Sequence, residues 1–199
     1  EENSLSFSST NLTSVTLSGY WLDVTSSGNG NLTTVDIDAT MRNLDLTNND
    51  NLTSLDVTGA SIANVTFTGN DAVVSAVFDH TTGLNYNGAS ATDTEYAQAT
   101  ITNNLAMTSL TWGANNVEDL TVTGNDALTT VNFTGLAGVG ADADGTPALS
   151  VYDNALTATA ATDSVDGLAT GTQYSIDGTN DASDTGSFTT ASGLGTLKT

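Results

Sequence analysis

The sequence predicts a mainly β fold: a β-solenoid of stacked coils that ends in a short β-rich cap. Three observations lead there. The apolar pattern L-x-x-L-x-L recurs along most of the chain, one full period taking about 20 to 22 residues. Within each copy apolar and polar residues alternate, so that in "LDLTNN" Leu44 and Leu46 face one way and Asp45 and Thr47 the other. Helical periodicity is scarce, while Thr and Val are abundant.

The elements follow in chain order. One unit reads "TNLTSVTL" (10–17), "GNLTTVDI" (30–37), "DNLTSLDV" (50–57), "DAVVSAVF" (71–78), "LAMTSLTW" (105–112) and "DALTTVNF" (126–133). A second unit alternates with it and closes on Asn: "MRNLDLTNN" (41–49), "IANVTFTGN" (62–70), "YAQATITNN" (96–104) and "VEDLTVTGN" (117–125). "LSVYDN" (149–154) is a truncated copy. A single period can bury its apolar face only against the next copy, and stacking builds one continuous core. Leu5 and Phe7 fall in register as a half-coil at the start. Asn49, Asn70, Asn104, Asn125 and Asn154 each follow the second apolar residue by three, and are expected to form a buried ladder at a corner. Gly69 and Gly124 precede two of them and supply permissive turn geometry.

These residues resemble the leucine-rich-repeat core, L-x-x-L-x-L-x-x-N. The paired form is similar to the 21-residue repeats of bacterial surface proteins of the internalin-J type. The resemblance covers about residues 5 to 133 and extends towards 160. It implies a leucine-rich-repeat-like β-solenoid that presents a surface. The chain departs from that type in having no Cys, where the type carries a cysteine ladder, and in the break "DHTTGLNYNGASATDTE" (79–95).

Three segments are expected: the solenoid over 1–133, an insertion with a truncated repeat over 134–160, and a β-rich C-terminal cap or assembly segment over 161–199. The insertion holds the only proline, Pro147. In the last segment, "QYSID" and "GSFTT" suggest a hairpin or a few strands.

Composition narrows the function. Two Lys+Arg stand against 23 Asp+Glu, a net charge of −21. Such a chain cannot neutralise phosphates, which argues against nucleic acid and against anionic membranes. No apolar run approaches the roughly 18 residues of a spanning helix. The start, "EENSLSFSST", carries no leader; if the protein is secreted, the leader has been removed. The Thr/Asn/Asp/Gly/Ser-rich, Lys-poor profile points to an extracellular or cell-surface protein.

Catalysis is not expected. His80 is the only histidine and sits in the irregular "FDHTTG", where it reads as a solvated loop residue. The Asp residues recur with the repeat, as Asp36, Asp45 and Asp56, in place of a pair set apart in one cleft. The outward face of the L-x-L strands offers Asp45/Thr47, Thr66/Thr68, Asn85/Asn87, Thr100/Thr102 and Thr121/Thr123, in rows about 4.8 Å apart. Such rows could meet a protein or a glycan, or order water as ice-binding solenoids do; the plain reading is that Thr suits a solvated β face. In "DADGT", Asp142 and Asp144 are spaced as in oxygen-rich calcium loops, and Asp177, Asp181 and Asp184 follow in "DGTNDASDTG". A divalent cation there would relieve self-repulsion. The N-x-T sequons at Asn11, Asn31, Asn51, Asn64 and Asn132 read as by-products of the repeat.

The leading expectation is a self-assembling extracellular filament or layer. Leu5 and Phe7 would offer an open strand edge, and the Gly/Ser-rich tail a second contact. The alternatives are an adhesin that uses the Thr/Asp/Asn face, and an ice-binding solenoid.

Overall fold

The computed structural model describes residues 3–8, 11–82, 98–113, 116–117, 119–132, 138–139, 149–152, 154, 164–166 and 174–176. All its regular elements are strands. They are β1 (Leu5–Ser8), β2 (Ser14–Ser27), β3 (Thr34–Thr47), β4 (Ser54–Asp56), β5 (Ser61–Thr68), β6 (Ser75–Phe78), β7 (Thr81–Thr82) and β8 (Gln98–Thr102). There follow β9 (Ser109–Trp112), β10 (Asn116–Val117), β11 (Asp119–Thr123), β12 (Thr130–Asn132), β13 (Gly138–Val139), β14 (Leu149–Tyr152), β15 (Ser164–Asp166) and β16 (Tyr174–Ile176).

Every pairing is parallel, as a β-solenoid requires. One long sheet runs β1-β2-β3-β5-β8-β11-β14-β16, with β4 added on β3 and β7 on β5. A second runs β15-β12-β9-β6, and β10 pairs with β13 on a third side. In the first two full coils both sides belong to one 14-residue strand, β2 or β3. The first half of β3 pairs with β4, and its second half with β5. Of the C-terminal segment, β15 and β16 are described, and they add in parallel to β12 and β14. "GSFTT" lies outside the described residues.

Alternation decides what is buried. On the long sheet Val24, Leu44, Leu46, Val65, Phe67, Ala99, Ile101, Leu120, Val122 and Val151 point inwards. Facing them are Leu17, Val35, Ile37, Val57, Ala76, Phe78, Leu110, Trp112 and Val131. Leu32, Leu52, Val73, Met107 and Leu128 close the corner between them. Each fully buried aliphatic or aromatic side chain contributes about 1.5–3 kcal/mol, and only stacking on a neighbouring coil makes that burial possible.

The expected asparagine ladder is present and one rung longer. Asn29, Asn49, Asn70, Asn104, Asn125 and Asn154 are all buried. The backbone N–H and the Nδ2 of each donate to the Oδ1 of the next, as Asn104 does to Asn125 at 3.0 Å from both. The same Nδ2 reaches back to a backbone carbonyl of the coil before: Asn70 to Leu46 at 2.9 Å, Asn154 to Val122 at 3.0 Å. Each Asn carbonyl from Asn29 to Asn125 then accepts from the N–H three residues on, closing the turn. Asn29 escaped the sequence pattern because Ser26 stands where the second apolar residue is expected. Ser26 is itself buried, and its hydroxyl donates to Asn49 Oδ1 at 2.8 Å.

The residue before the ladder Asn is left-handed in five coils: Gly28, Asn48, Gly69, Asn103 and Gly124, with φ between 55° and 65°. Glycine is needed at 69 and 124 for a second reason. A Cβ there would run into the Asn48 or the Asn103 side chain of the coil before.

Candidate binding face

The long sheet turns three rows of polar residues outwards. In the first, Asp23, Asn43, Asn64 and Gln98 stand in neighbouring coils and form a surface ladder. Gln98 N donates to Asn64 Oδ1 at 3.1 Å, Asn64 Nδ2 to Asn43 Oδ1 at 2.8 Å, and Asn43 Nδ2 to Asp23 Oδ1 at 2.5 Å. Arg42 adds an ion pair to Asp23 at 3.1 Å. Burial pushes the Asp23 carboxyl up, but the Asn43 and Arg42 hydrogen bonds and the Arg42 charge together outweigh it and hold the carboxyl below its usual value.

The second and third rows are mostly hydroxyls. Register places Ser6, Thr25, Asp45, Thr66, Thr100 and Thr121 in one row. Ser8, Ser27, Thr47, Thr68, Thr102 and Thr123 form the other. All eight residues expected on this face, Asp45, Thr47, Thr66, Thr68, Thr100, Thr102, Thr121 and Thr123, are therefore brought together on it. Thr100 is exposed and the other seven are half-buried by their neighbours. Thr68 and Thr102 share a hydroxyl–hydroxyl hydrogen bond at 2.9 Å, and Thr47 donates to the Asp45 carboxylate.

One expectation about these rows is corrected. The Thr66/Thr68 and Thr100/Thr102 pairs are direct neighbours, because β8 pairs with β5, Thr66 against Thr100 and Thr68 against Thr102. Asn85 and Asn87 lie outside the described residues. A register step of 34 residues replaces the usual 20 or 21. The ladder asparagines make the same step, since Asn70 N donates to Asn104 Oδ1 at 3.0 Å.

The opposite side has a different character. Asp36, Asp38, Asp56 and Asp79 are exposed there, and Asp36 is the direct neighbour of Asp56. Among the described residues no group of acidic or histidine side chains is arranged to hold a metal ion. Asp142 and Asp144, the expected calcium ligands, lie outside the described residues, as do Asp177, Asp181 and Asp184.

The remaining candidates are placed as follows. Leu5 and Phe7 pair with Val24 and Ser26 through β1, half-buried against the core, so the half-coil is in register. Asn11, Asn31 and Asn51 stand exposed at the turn corner, whereas Asn64 is tied into the surface ladder. His80 corrects its reading as a solvated loop residue: it is 2% exposed. Its ring lies edge-on to Trp112 at 5.3 Å and to Phe78 at 6.4 Å. Burial pushes its pKa down to about 4, so the ring is neutral. The sequence concealed this because "FDHTTG" interrupts the repeat, whereas stacking puts His80 beside Ala60, on the core side of the next coil. No family model matches the chain, and no curated protein or solved structure is significantly similar to it.

Proposed function

We propose that the chain is a non-enzymatic, extracellular binding module whose hydroxyl face engages an extended, uncharged glycan. The carrying observation is the direct β5–β8 pairing, which keeps two rows of hydroxyls in unbroken register from Thr66 to Thr123. Charge supports the choice of ligand. The exposed carboxylates Asp36, Asp38, Asp56 and Asp79 stand on the other side, and Asp45 is the only carboxylate among the eight face residues. Neutral hydroxyls lose less on desolvation than carboxylates do, so this is the side that a neutral polymer can approach closely. Threonine hydroxyls donate and accept, as sugar hydroxyls do. The resemblance to internalin-type surface repeats points the same way, towards a presented surface.

The test is equilibrium binding to uncharged polysaccharides, insoluble and soluble, by the wild-type chain and by a variant with Thr66, Thr68, Thr121 and Thr123 all changed to Val. Valine keeps the shape and the strand preference and removes the hydroxyls. Binding should weaken at least about tenfold, given about 1 kcal/mol per lost hydrogen bond. Unchanged binding by the variant would refute the face. Thermal hysteresis in freezing water, with no glycan bound, would reassign the same rows to ice.

A second reading is the homopolymer, favoured by one observation. Among the described residues β1 pairs with β2 alone, and Leu5 and Phe7 lie on that outermost strand. A further copy would add there by strand pairing. Sedimentation velocity and electron microscopy of wild type and Phe7→Asp decide it: polymers that form only from wild type support assembly, and polymers from both remove Phe7 from it.

A further inference from the structure

The two principal sides of the solenoid are not equally continuous. On the face side every coil is bonded to the next, β3 to β5 and β5 to β8. On the opposite side the ladder is interrupted: β4 pairs with β3, β6 pairs with β9, and among the described residues no pairing joins β4 to β6. The corner bonds show the same gap. Thr53 N donates to Thr33 O at 3.0 Å, Thr108 N to Val74 O at 2.9 Å, and Thr129 N to Thr108 O at 3.0 Å. The equivalent bond, from Val74 N to Thr53 O, is missing among the described residues. A side-chain contact spans the seam instead, Thr58 Oγ1 donating to the Asp79 carboxylate at 3.4 Å.

Just past β6, between this seam and the β5–β7 pairing of Ser61 with Thr81, the core holds two polar atoms without a partner among the described residues. His80 Nδ1 and Trp112 Nε1 are buried and have no hydrogen-bond partner among the described residues. Buried polar groups are nearly always partnered, so these two atoms set this part of the core apart. The two rings lie perpendicular, 5.3 Å apart, and Phe78 is 5.2 Å from Trp112. Among the described residues no charged group compensates His80. Asp79, beside it in the chain, is exposed. Asp56 of β4 is bonded to Thr58, Asp38 of β3 is exposed, and Arg42 is paired to Asp23. β5, β7 and β9 carry no titratable side chain.

We propose that this seam is an acid-operated joint: protonation drives the His80 ring out of the core, and β6 parts from β4 while the β5–β8 ladder on the opposite side holds. The open form accepts a proton at the ordinary histidine value. The closed form resists it, since burial holds the ring down to about 4. Opening is therefore favoured as pH falls through this interval, on the order of fifty-fold between pH 7 and pH 4.5.

Three measurements test the joint. His80 is the only histidine, so its ring proton resonance in the untagged chain is assigned without mutation. It should not titrate near 6.5 while the chain is closed; ordinary titration there would overturn the proposal. In a Trp21→Phe background, acrylamide quenching of Trp112 should rise as pH falls from 6.5 to 4.5 with the β circular dichroism retained. The rise should be absent in His80→Leu, and also in a Thr58→Cys/Asp79→Cys chain oxidised across the seam. The native chain contains no cysteine to interfere. An acid response that persists in either variant, or one that coincides with loss of all β signal, would refute the joint.

Discussion

Changing Asn70 to Ala removes the middle rung of the buried ladder, and the loss can be worked bond by bond. Asn70 Oδ1 accepts from the Asn49 backbone N–H at 3.2 Å and from Asn49 Nδ2 at 3.1 Å. Asn70 Nδ2 donates to Leu46 O at 2.9 Å, Thr68 O at 3.3 Å and Asn104 Oδ1 at 3.4 Å. Some partners keep an alternative. Asn49 Nδ2 retains Ser26 O, and Asn104 Oδ1 retains the Asn70 backbone N–H. The Asn49 N–H retains no acceptor that the ladder supplies, and it is buried. An orphaned buried donor costs about 1–3 kcal/mol, and each of the one or two other bonds lost outright about 1 kcal/mol, for a total of about 2–5 kcal/mol. Stacked coils are coupled to their nearest neighbours, so the damage should centre on the coils that meet at Asn49, Asn70 and Asn104.

The assay is urea unfolding followed by circular dichroism, with hydrogen exchange at the Asn49 amide as the local readout. Thr66→Val, in the same coil as Asn70 but on the outer face, is the control and should change stability by less than about 0.5 kcal/mol. A loss below about 1 kcal/mol for Asn70→Ala, or an Asn49 amide as protected as before, would refute the claim that the ladder holds the coils in register.

Further predictions concern the corner, the core and the charge. Gly69→Ala should cost at least about 1 kcal/mol, from its left-handed φ and from the Asn48 contact, and Asn48→Gly in the same chain should restore part of it in a double-mutant cycle. Trp112→Ala should cost about 3–5 kcal/mol by thermal or urea melts, because it empties the centre of the aromatic cluster. Asp23 has a lowered pKa in the folded chain. It therefore adds stability above its unfolded value, and that stability disappears as pH falls through the folded one; Asp23→Asn should flatten this part of the acid limb and cost under about 1 kcal/mol at neutral pH. With a net charge of −21 and Asp36 against Asp56, added salt should raise the melting temperature, and Asp56→Asn should reduce that response.

Local pattern was enough to decide the kind of object this is. Alternation told which residues of "LDLTNN" face inwards, and the recurrence of that string required stacking, since one coil cannot cover its own apolar side. The fixed spacing from the second apolar residue to Asn located five of the ladder rungs. The hydroxyl residues of the face were legible for the same reason. Which coil lies on which was decided only in three dimensions. Thr66 meets Thr100, because strands that match in register and ladder bonding pair across whatever chain length separates them. Asn29 joined the ladder because a corner needs an amide whether or not the preceding inward residue is apolar, and Ser26 satisfied that site with its own hydroxyl. His80 looked like a loop residue by its neighbours in sequence. Its burial was settled by the coil beside it, which presents Trp112 where solvent would otherwise be. Period and polarity are properties of a few adjacent residues, whereas register, burial of an irregular residue and a missing rung depend on segments far apart in the chain.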